Sequence, residues 1–118
     1  MTKICTDIEQ SKKLLKLGID RNTADMYWWS SGKRYYIEAM DDDDFNEEEG
    51  HIPCWSLSAL LGLMPSKMKD GFLTLFKETN ESGDEYCCCY DDCNGNSFHH
   101  FFGDTAIDAC YNMVVWLL

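Results

Sequence analysis

The sequence predicts a single α+β domain, in which an antiparallel sheet of about five strands carries about three helices. The chain has 118 residues, the size of one domain, and its 45% apolar and 26% charged residues are typical of a globular protein. Short aromatic or alternating segments lie between turn residues, which favours strands joined by hairpins. Three other segments repeat apolar residues at helical spacing. The predicted order along residues 1–118 is α-β-β-α-β-β-β-α, with no linker that would divide the domain.

The first helix is predicted at Thr6–Leu17. Thr6 and Glu9 have the spacing of a capping box, in which the two side chains satisfy backbone N–H groups of the first turn. Gly18 follows the helix and is expected to adopt the left-handed conformation that ends many helices.

The middle of the chain is predicted to hold an aromatic hairpin, an acidic loop and a second helix. The strands Met26–Ser30 and Lys33–Ala39 lie on either side of a Ser-Gly turn. Residues 41–50 follow as a solvated, mobile loop, because dense like charges repel one another. Ser56 is expected to cap a helix that reaches Met64 and stops at the following proline.

The last third of the chain is predicted as three strands and a helix. Asp104 or Thr105 is expected to cap this helix, whose apolar residues recur at helical spacing. The predicted strands are Phe72–Glu78, Glu85–Tyr90 and Ser97–Phe102.

The net charge of −11, from 21 acidic and 10 basic residues, limits the classes of partner. Binding to a phosphate backbone or to an anionic membrane needs a surface of Lys and Arg, so nucleic acid and membranes are not expected partners. Seven of the acidic residues lie in one nine-residue run, and without them the net charge would be −4. The acidity is therefore mainly a local property of residues 41–49.

This acidic run is the first candidate interaction site. Its carboxylates suit a divalent cation or a basic protein surface, including that of a DNA-binding protein that the run would inhibit as an acidic mimic. A solvated loop without a partner is the alternative. The aromatic ring within the run is a candidate anchor, either for a partner or for the sheet. The candidate residues are Asp41, Asp42, Asp43, Asp44, Phe45, Glu47, Glu48 and Glu49.

The aromatic hairpin is the second candidate surface, through Trp28, Trp29, Tyr35 and Tyr36. Side chains alternate between the two faces of a strand, so Trp28 or Trp29 is expected to point outward unless both faces are covered. An exposed aromatic patch marks a surface for an unidentified protein partner or the seam of a homodimer. Ordinary core packing with partial exposure is the alternative.

Cys87, Cys89 and His100 are candidate zinc ligands, and zinc is the one cofactor that the sequence suggests. If the turn before the last strand aligns Cys87 with His100, all three side chains share one face of the hairpin. The spacing matches no established zinc motif, and buried structural cysteines are the alternative. The acidic neighbours, Asp91 among them, would raise the pKa of these thiols, which disfavours a redox role.

The predictions about cellular compartment and catalysis depend on sequence signals that are missing. It contains no apolar run suited to a signal peptide or a membrane span, and seven cysteines without an export signal predict reduced thiols in the cytosol. No arrangement of residues indicates nucleophilic or acid–base catalysis, so we assign no catalytic and no cofactor-binding residue.

Three segments resemble a group of small proteins of unknown function found in bacterial genomes and their phages or mobile elements. The three segments of this chain are Ile52–Pro65, Gly103–Ala109 and Asn112–Leu118. The first contains a Pro-x-x-Ser helix start and the second a Gly-Asp-Thr helix start. The resemblance implies a shared fold, because these motifs are helix caps and core positions, and it implies no chemistry or functional residues. The residues themselves predict a non-enzymatic cytosolic domain that acts by protein contact.

Overall fold

The computed structural model describes residues 3–68, 71–92 and 94–118 and has the α+β fold that the sequence predicts. Cys93, which follows the candidate zinc ligand Cys89 by four residues in the sequence, falls outside the described residues. Two single 3-10 turns, Arg21–Thr23 and Glu47–Glu49, supplement the regular helices. Over the described residues the helices are α1 (Ile8–Lys16), α2 (Leu57–Leu63) and α3 (Ala106–Leu117).

The strands form two antiparallel sheets, where the sequence predicted a single sheet of about five strands. One sheet has three strands in the order β2-β1-β3 and the other has four in the order β4-β5-β6-β7. The strands of the described residues are β1 (Met26–Ser30), β2 (Tyr35–Ala39), β3 (Ile52–Cys54), β4 (Lys67–Met68), β5 (Gly71–Asn80), β6 (Gly83–Asp91) and β7 (Ser97–Gly103).

The prediction missed β3 and β4, because both are too short to show an alternating pattern and β3 contains Pro53. Pro53 lies opposite Tyr27 in the β1–β3 pair, between the pairs Met26–Cys54 and Trp28–Ile52. The ladder between β1 and β2 uses the backbone groups of Tyr27, so those of its two neighbours point toward β3. Pro53 therefore stands where the ladder needs no N–H donor.

Helix α1 (Ile8–Lys16) lies within the predicted Thr6–Leu17, stops at Gly18 as predicted and has its N-cap one residue later than predicted. Gly18 has φ +98°, its N–H donates to Leu15 O at 3.1 Å, and the N–H of Ile19 donates to Leu14 O at 3.1 Å. This is the two-bond C-terminal motif that glycine favours. The capping box predicted for Thr6 and Glu9 is wrong, since Asp7 is the N-cap residue and Gln10 its reciprocal partner.

Thr6 instead joins the N-terminal segment to the end of β3. Its fully buried hydroxyl accepts a hydrogen bond from Trp55 N at 3.0 Å and lies 2.8 Å from Ser11 Oγ. The backbone N–H of Thr6 donates to Trp55 O at 2.9 Å. The Thr6 side chain is therefore used in this tertiary contact, although the local sequence predicted that it would cap α1.

The main core lies where α3 packs against one face of the four-stranded sheet and α2 packs against α3. Cys88 and Tyr90 of β6 point into this core, and the Tyr90 hydroxyl donates to Pro65 O at 2.8 Å. The Trp55 indole donates to Thr23 Oγ1 at 2.9 Å, so both large polar aromatics are satisfied. The other buried members of this core include Leu14, Leu60, Ile107, Cys110, Met113 and Val114.

Asp108 fastens the N-terminal segment to the first turn of α3. Its Oδ1 accepts hydrogen bonds from Lys3 Nζ at 2.7 Å and from Gln10 Nε2 at 2.9 Å. Burial raises the pKa of Asp108, but the hydrogen bonds from Lys3, Gln10 and Thr105 together hold it below its ordinary value. The carboxylate is therefore charged and paired at neutral pH.

Candidate functional site

The β1–β2 hairpin stacks its aromatic side chains in cross-strand pairs. Trp29 stacks on Tyr36 with 4.7 Å between ring centroids, and Trp28 meets Tyr35 edge-on at 6.5 Å on the other face. Both tryptophans are half-buried, whereas Tyr35 is 51% exposed and Tyr36 is 41% exposed. The tyrosines of β2 therefore form the accessible part of the predicted aromatic surface.

The two indole N–H groups of the hairpin have different surroundings. Trp28 Nε1 donates to Thr6 O at 3.0 Å, which ties the hairpin to the N-terminal segment. Trp29 Nε1 is buried and has no hydrogen-bond partner within the described part of the chain. Unsatisfied buried donors are rare because each loses its bond to water without replacement.

The acidic segment, residues 41–50, follows β2 as two capped turns. Asp41 accepts a hydrogen bond from Asp43 N at 3.0 Å, and Asn46 caps the 3-10 turn through Glu48 N at 2.9 Å. Gly50 closes that turn in the left-handed conformation, with φ +83°. Asx turns and a left-handed glycine therefore shape this segment, and its carboxylates stay exposed.

Phe45 packs on the hairpin, one of the two placements that the sequence left open. Its ring lies 5.5 Å from that of the buried Tyr27 and 6.0 Å from that of His51. The Arg21 guanidinium lies over the same ring, 4.9 Å from its centroid, and Tyr27 stacks on His51. Phe45 is therefore the internal anchor of the acidic segment.

Few cations compensate the acidic segment. Arg21 lies 3.5 Å from Glu47. No ion pair within the described ranges involves the four consecutive aspartates 41–44. Together with Glu38 of β2, these aspartates line an open groove of about 790 Å³. The groove is a concave, strongly negative surface directly beside the end of β2.

The register of the β6–β7 hairpin differs from the predicted one. Cys87 lies opposite Phe102 rather than His100, a shift of two residues. The turn pairs Asp91 with Ser97, which accounts for one residue, and a β-bulge between Cys88 and Tyr90 adds the other. His99 sits at the bulge with φ +56°, and its ring stacks on Trp116 of α3 at 4.4 Å. The sequence does not signal this bulge, since His99 is not a residue that favours positive φ as strongly as glycine.

The candidate zinc ligands Cys87, Cys89 and His100 remain on one face of the sheet. In the described portion of the chain, no group of three or more His, Cys, Asp and Glu side chains is arranged to hold a metal ion. Cys89 Sγ donates to Asp91 Oδ1 at 3.3 Å instead. Burial and the Asp91 carboxylate raise the pKa of Cys89 to about 12.

All six described cysteines are free thiols and buried. Burial raises the pKa of Cys87, and Asp91 contributes in the same direction, as the sequence predicted for these neighbours. A thiolate is the form that attacks electrophiles or binds metal, so the raised pKa of Cys87 and of Cys89 holds these two thiols in their unreactive form.

The outer face of the four-stranded sheet is an apolar patch that sequence reasoning missed. Phe72 is 56% exposed, and Phe76 and Phe102 are also exposed on the face opposite α3. Phe72 and Phe76 are four residues apart, which places them on the same face of a strand, and this spacing is the signal that would have identified the patch. Phe76 and Phe102 flank Cys87 on the two neighbouring strands, in keeping with the burial of that thiol on the outer face.

A second cavity, of about 550 Å³, lies between the N-terminal segment and the first turns of α2 and α3. Lys3, Tyr86 and Ile107 are among its lining residues, and Lys3 is already paired with Asp108. Its lining, all within the described residues, includes neither Cys nor His. Two hydroxyl residues of the lining, Ser56 and Thr105, are the N-caps of α2 and α3, and Ser56 Oγ also donates to the Asp25 carboxylate.

Comparison with protein-family models, curated proteins and solved structures finds no match for this chain. The resemblance to small bacterial and phage proteins therefore stays a prediction. Among the helices that the structure describes, none is long and apolar enough to cross a bilayer.

Proposed function

We propose that this protein is a non-enzymatic, cytosolic interaction domain that binds a basic surface of another protein through its acidic segment. The observation that carries this proposal is the open groove that Glu38 and Asp41–Asp44 line beside the aromatic hairpin. A concave surface with several carboxylates and few compensating cations attracts Lys and Arg side chains and speeds their encounter.

The hairpin supports the same proposal by adding apolar contact area next to the charge. Tyr35 and Tyr36 are the exposed aromatics of β2, and aromatic side chains dominate the energetics of many interfaces. Phe45 holds the acidic segment against the hairpin, so a partner would meet a preformed surface. The buried free thiols are in keeping with a reducing compartment.

The experiment compares two variants of equal net charge. Asp41, Asp42, Asp43 and Asp44 are replaced by Asn in one, which lowers the net charge from −11 to −7 but keeps the side-chain oxygen that caps the first turn. The matched control has the same net charge. It carries Gln in place of four glutamates that lie on other surfaces, Glu9, Glu78, Glu81 and Glu85.

The probe is synthetic decalysine, titrated by calorimetry at physiological salt. We expect the Asp→Asn variant to bind it at least about tenfold more weakly than the wild type, a loss of about 1.4 kcal/mol. The Glu→Gln control should stay within about twofold, because its four glutamates lie on α1 and the β5–β6 hairpin and none of them lines the groove. Equal weakening of both variants would show that only net charge matters and would refute a site in the acidic segment.

A further inference from the structure

β2 is an edge strand with an open row of backbone hydrogen-bonding groups. In the hairpin, the N–H of Ser31 donates to Arg34 O and that of Met40 donates to Asp25 O, so even-numbered residues of β2 bond to β1. The backbone groups of Tyr35, Ile37 and Ala39 therefore point away from β1. Within the described residues, no hydrogen bond and no other strand uses these three.

The edge also lacks the features by which proteins usually block strand addition. Tyr35–Ala39 contains no proline and no lysine, and its pairing with β1 is regular, without a bulge. Four of its five residues are exposed, and Ile37 is half-buried. Such an edge is a template for another strand.

Charge is distributed unequally along this edge. Lys33 and Arg34 precede β2 at the turn, whereas Glu38 and Asp41 lie at its other end, beside the acidic groove. A strand that pairs antiparallel with β2 and carries the same sequence would bring each end of one copy to the oppositely charged end of the other. The occupant that this pattern fits is therefore a second copy of the chain.

We propose that two copies of this protein pair through β2 about a two-fold axis at Ile37, which joins their three-stranded sheets into one continuous sheet. In this register Ile37 faces Ile37 of the other copy, Tyr35 faces Ala39, and Lys33 faces Asp41. Tyr35, Ile37 and Ala39 are the residues of β2 whose backbone groups point outward, and this alignment pairs them with one another. Lys33 and Asp41 lie just beyond the two ends of β2, so the charge pattern favours the same alignment. Lys33 and Arg34 of each copy reach the acidic groove of the other.

The first test is sedimentation equilibrium of the full chain under reducing conditions, over about 1 to 500 µM. We expect a dimer for the wild type and for Ile37→Val, which keeps the outward N–H. Ile37→Pro removes that N–H without touching the ladder to β1, and we expect it to raise the dimer Kd at least about tenfold. Phe72→Thr, on the outer face of the other sheet, should leave the dimer unchanged.

The second test exchanges the charges. One variant carries Lys33→Glu and Arg34→Glu, and the other carries Asp41→Lys and Asp42→Lys. Each variant alone brings like charges together at both ends of the pairing, so we expect each to be a monomer. An equimolar mixture restores opposite charges at both ends and should form a heterodimer.

Amide exchange gives a readout that needs no variant. The N–H groups of Tyr35, Ile37 and Ala39 should exchange more slowly as protein concentration rises, while those of Tyr36 and Glu38 should change little. A wild type that stays monomeric throughout the range would overturn the proposal, as would a dimer that Phe72→Thr weakens and Ile37→Pro does not. Ile37→Pro retains every carboxylate, so decalysine binding separately reports on the proposed function.

Discussion

Thr6→Val removes the hydroxyl that joins the N-terminal segment to β3, and its effect can be estimated from the contacts of that group. Without the hydroxyl, the buried Trp55 N–H loses its acceptor, which costs about 1–3 kcal/mol. Ser11 Oγ also loses its contact with Thr6 but keeps Asp7 O at 2.6 Å, so this change adds little. We expect the free energy of unfolding to fall by about 2–3 kcal/mol.

Urea unfolding followed by tryptophan fluorescence measures this change, and the matched control is Thr6→Ser. Serine keeps the hydroxyl and loses only a buried methyl group, at about 1 kcal/mol. The exchange rate of the Trp55 amide should rise in Thr6→Val and not in Thr6→Ser. A Thr6→Val variant as stable as Thr6→Ser, with the Trp55 amide still protected, would refute the role assigned to this hydrogen bond.

Three further predictions concern pH, thiol reactivity and close packing. The pKa of Asp108 in the folded state lies below 3.8, so the stability that the Asp108 carboxylate contributes is complete above that value and is lost as pH falls through the folded-state pKa. Urea unfolding at a series of pH values measures this loss, and Asp108→Asn should remove the contribution of Asp108 to it. In a Cys93→Ser variant, the thiols should react with Ellman's reagent at least about a hundredfold more slowly when folded than in denaturant, and rapid reaction in the native protein would contradict their burial. Gly103→Ala would place a Cβ 2.5 Å from Ala109 N at the start of α3, so the free energy of unfolding measured in urea should fall by about 1–3 kcal/mol, and a neutral result would contradict this close approach.

Local signals predicted most of the secondary structure. Ser56 caps α2, Thr105 caps α3 and Gly18 ends α1, as expected from the sequence. The aromatic hairpin runs over Met26–Ala39 in the predicted place. These features depend on hydrogen bonds and backbone preferences within a few residues, so short segments of sequence are sufficient to predict them.

Long-range contacts decided where the local signals were ambiguous or misleading. Thr6 and Asp7 are both good N-cap residues, and the buried bond between Thr6 and Trp55 leaves Asp7 for the cap. The stacking of His99 on Trp116 accompanies a bulge that displaces the predicted pairing of Cys87. Neither contact is visible locally, because the residues involved are far apart in the chain.

By itself, the sequence determined that this protein is one acidic α+β domain whose negative charge is concentrated after the aromatic hairpin. Only the tertiary structure decided that the acidic segment is anchored through Phe45, that its aspartates line a groove with Glu38, and that β2 is an open edge. Composition shows which residues are charged, and periodicity shows which segments alternate between apolar and polar residues. Which strand lies at an edge, and which carboxylates converge, depends on how distant segments pack.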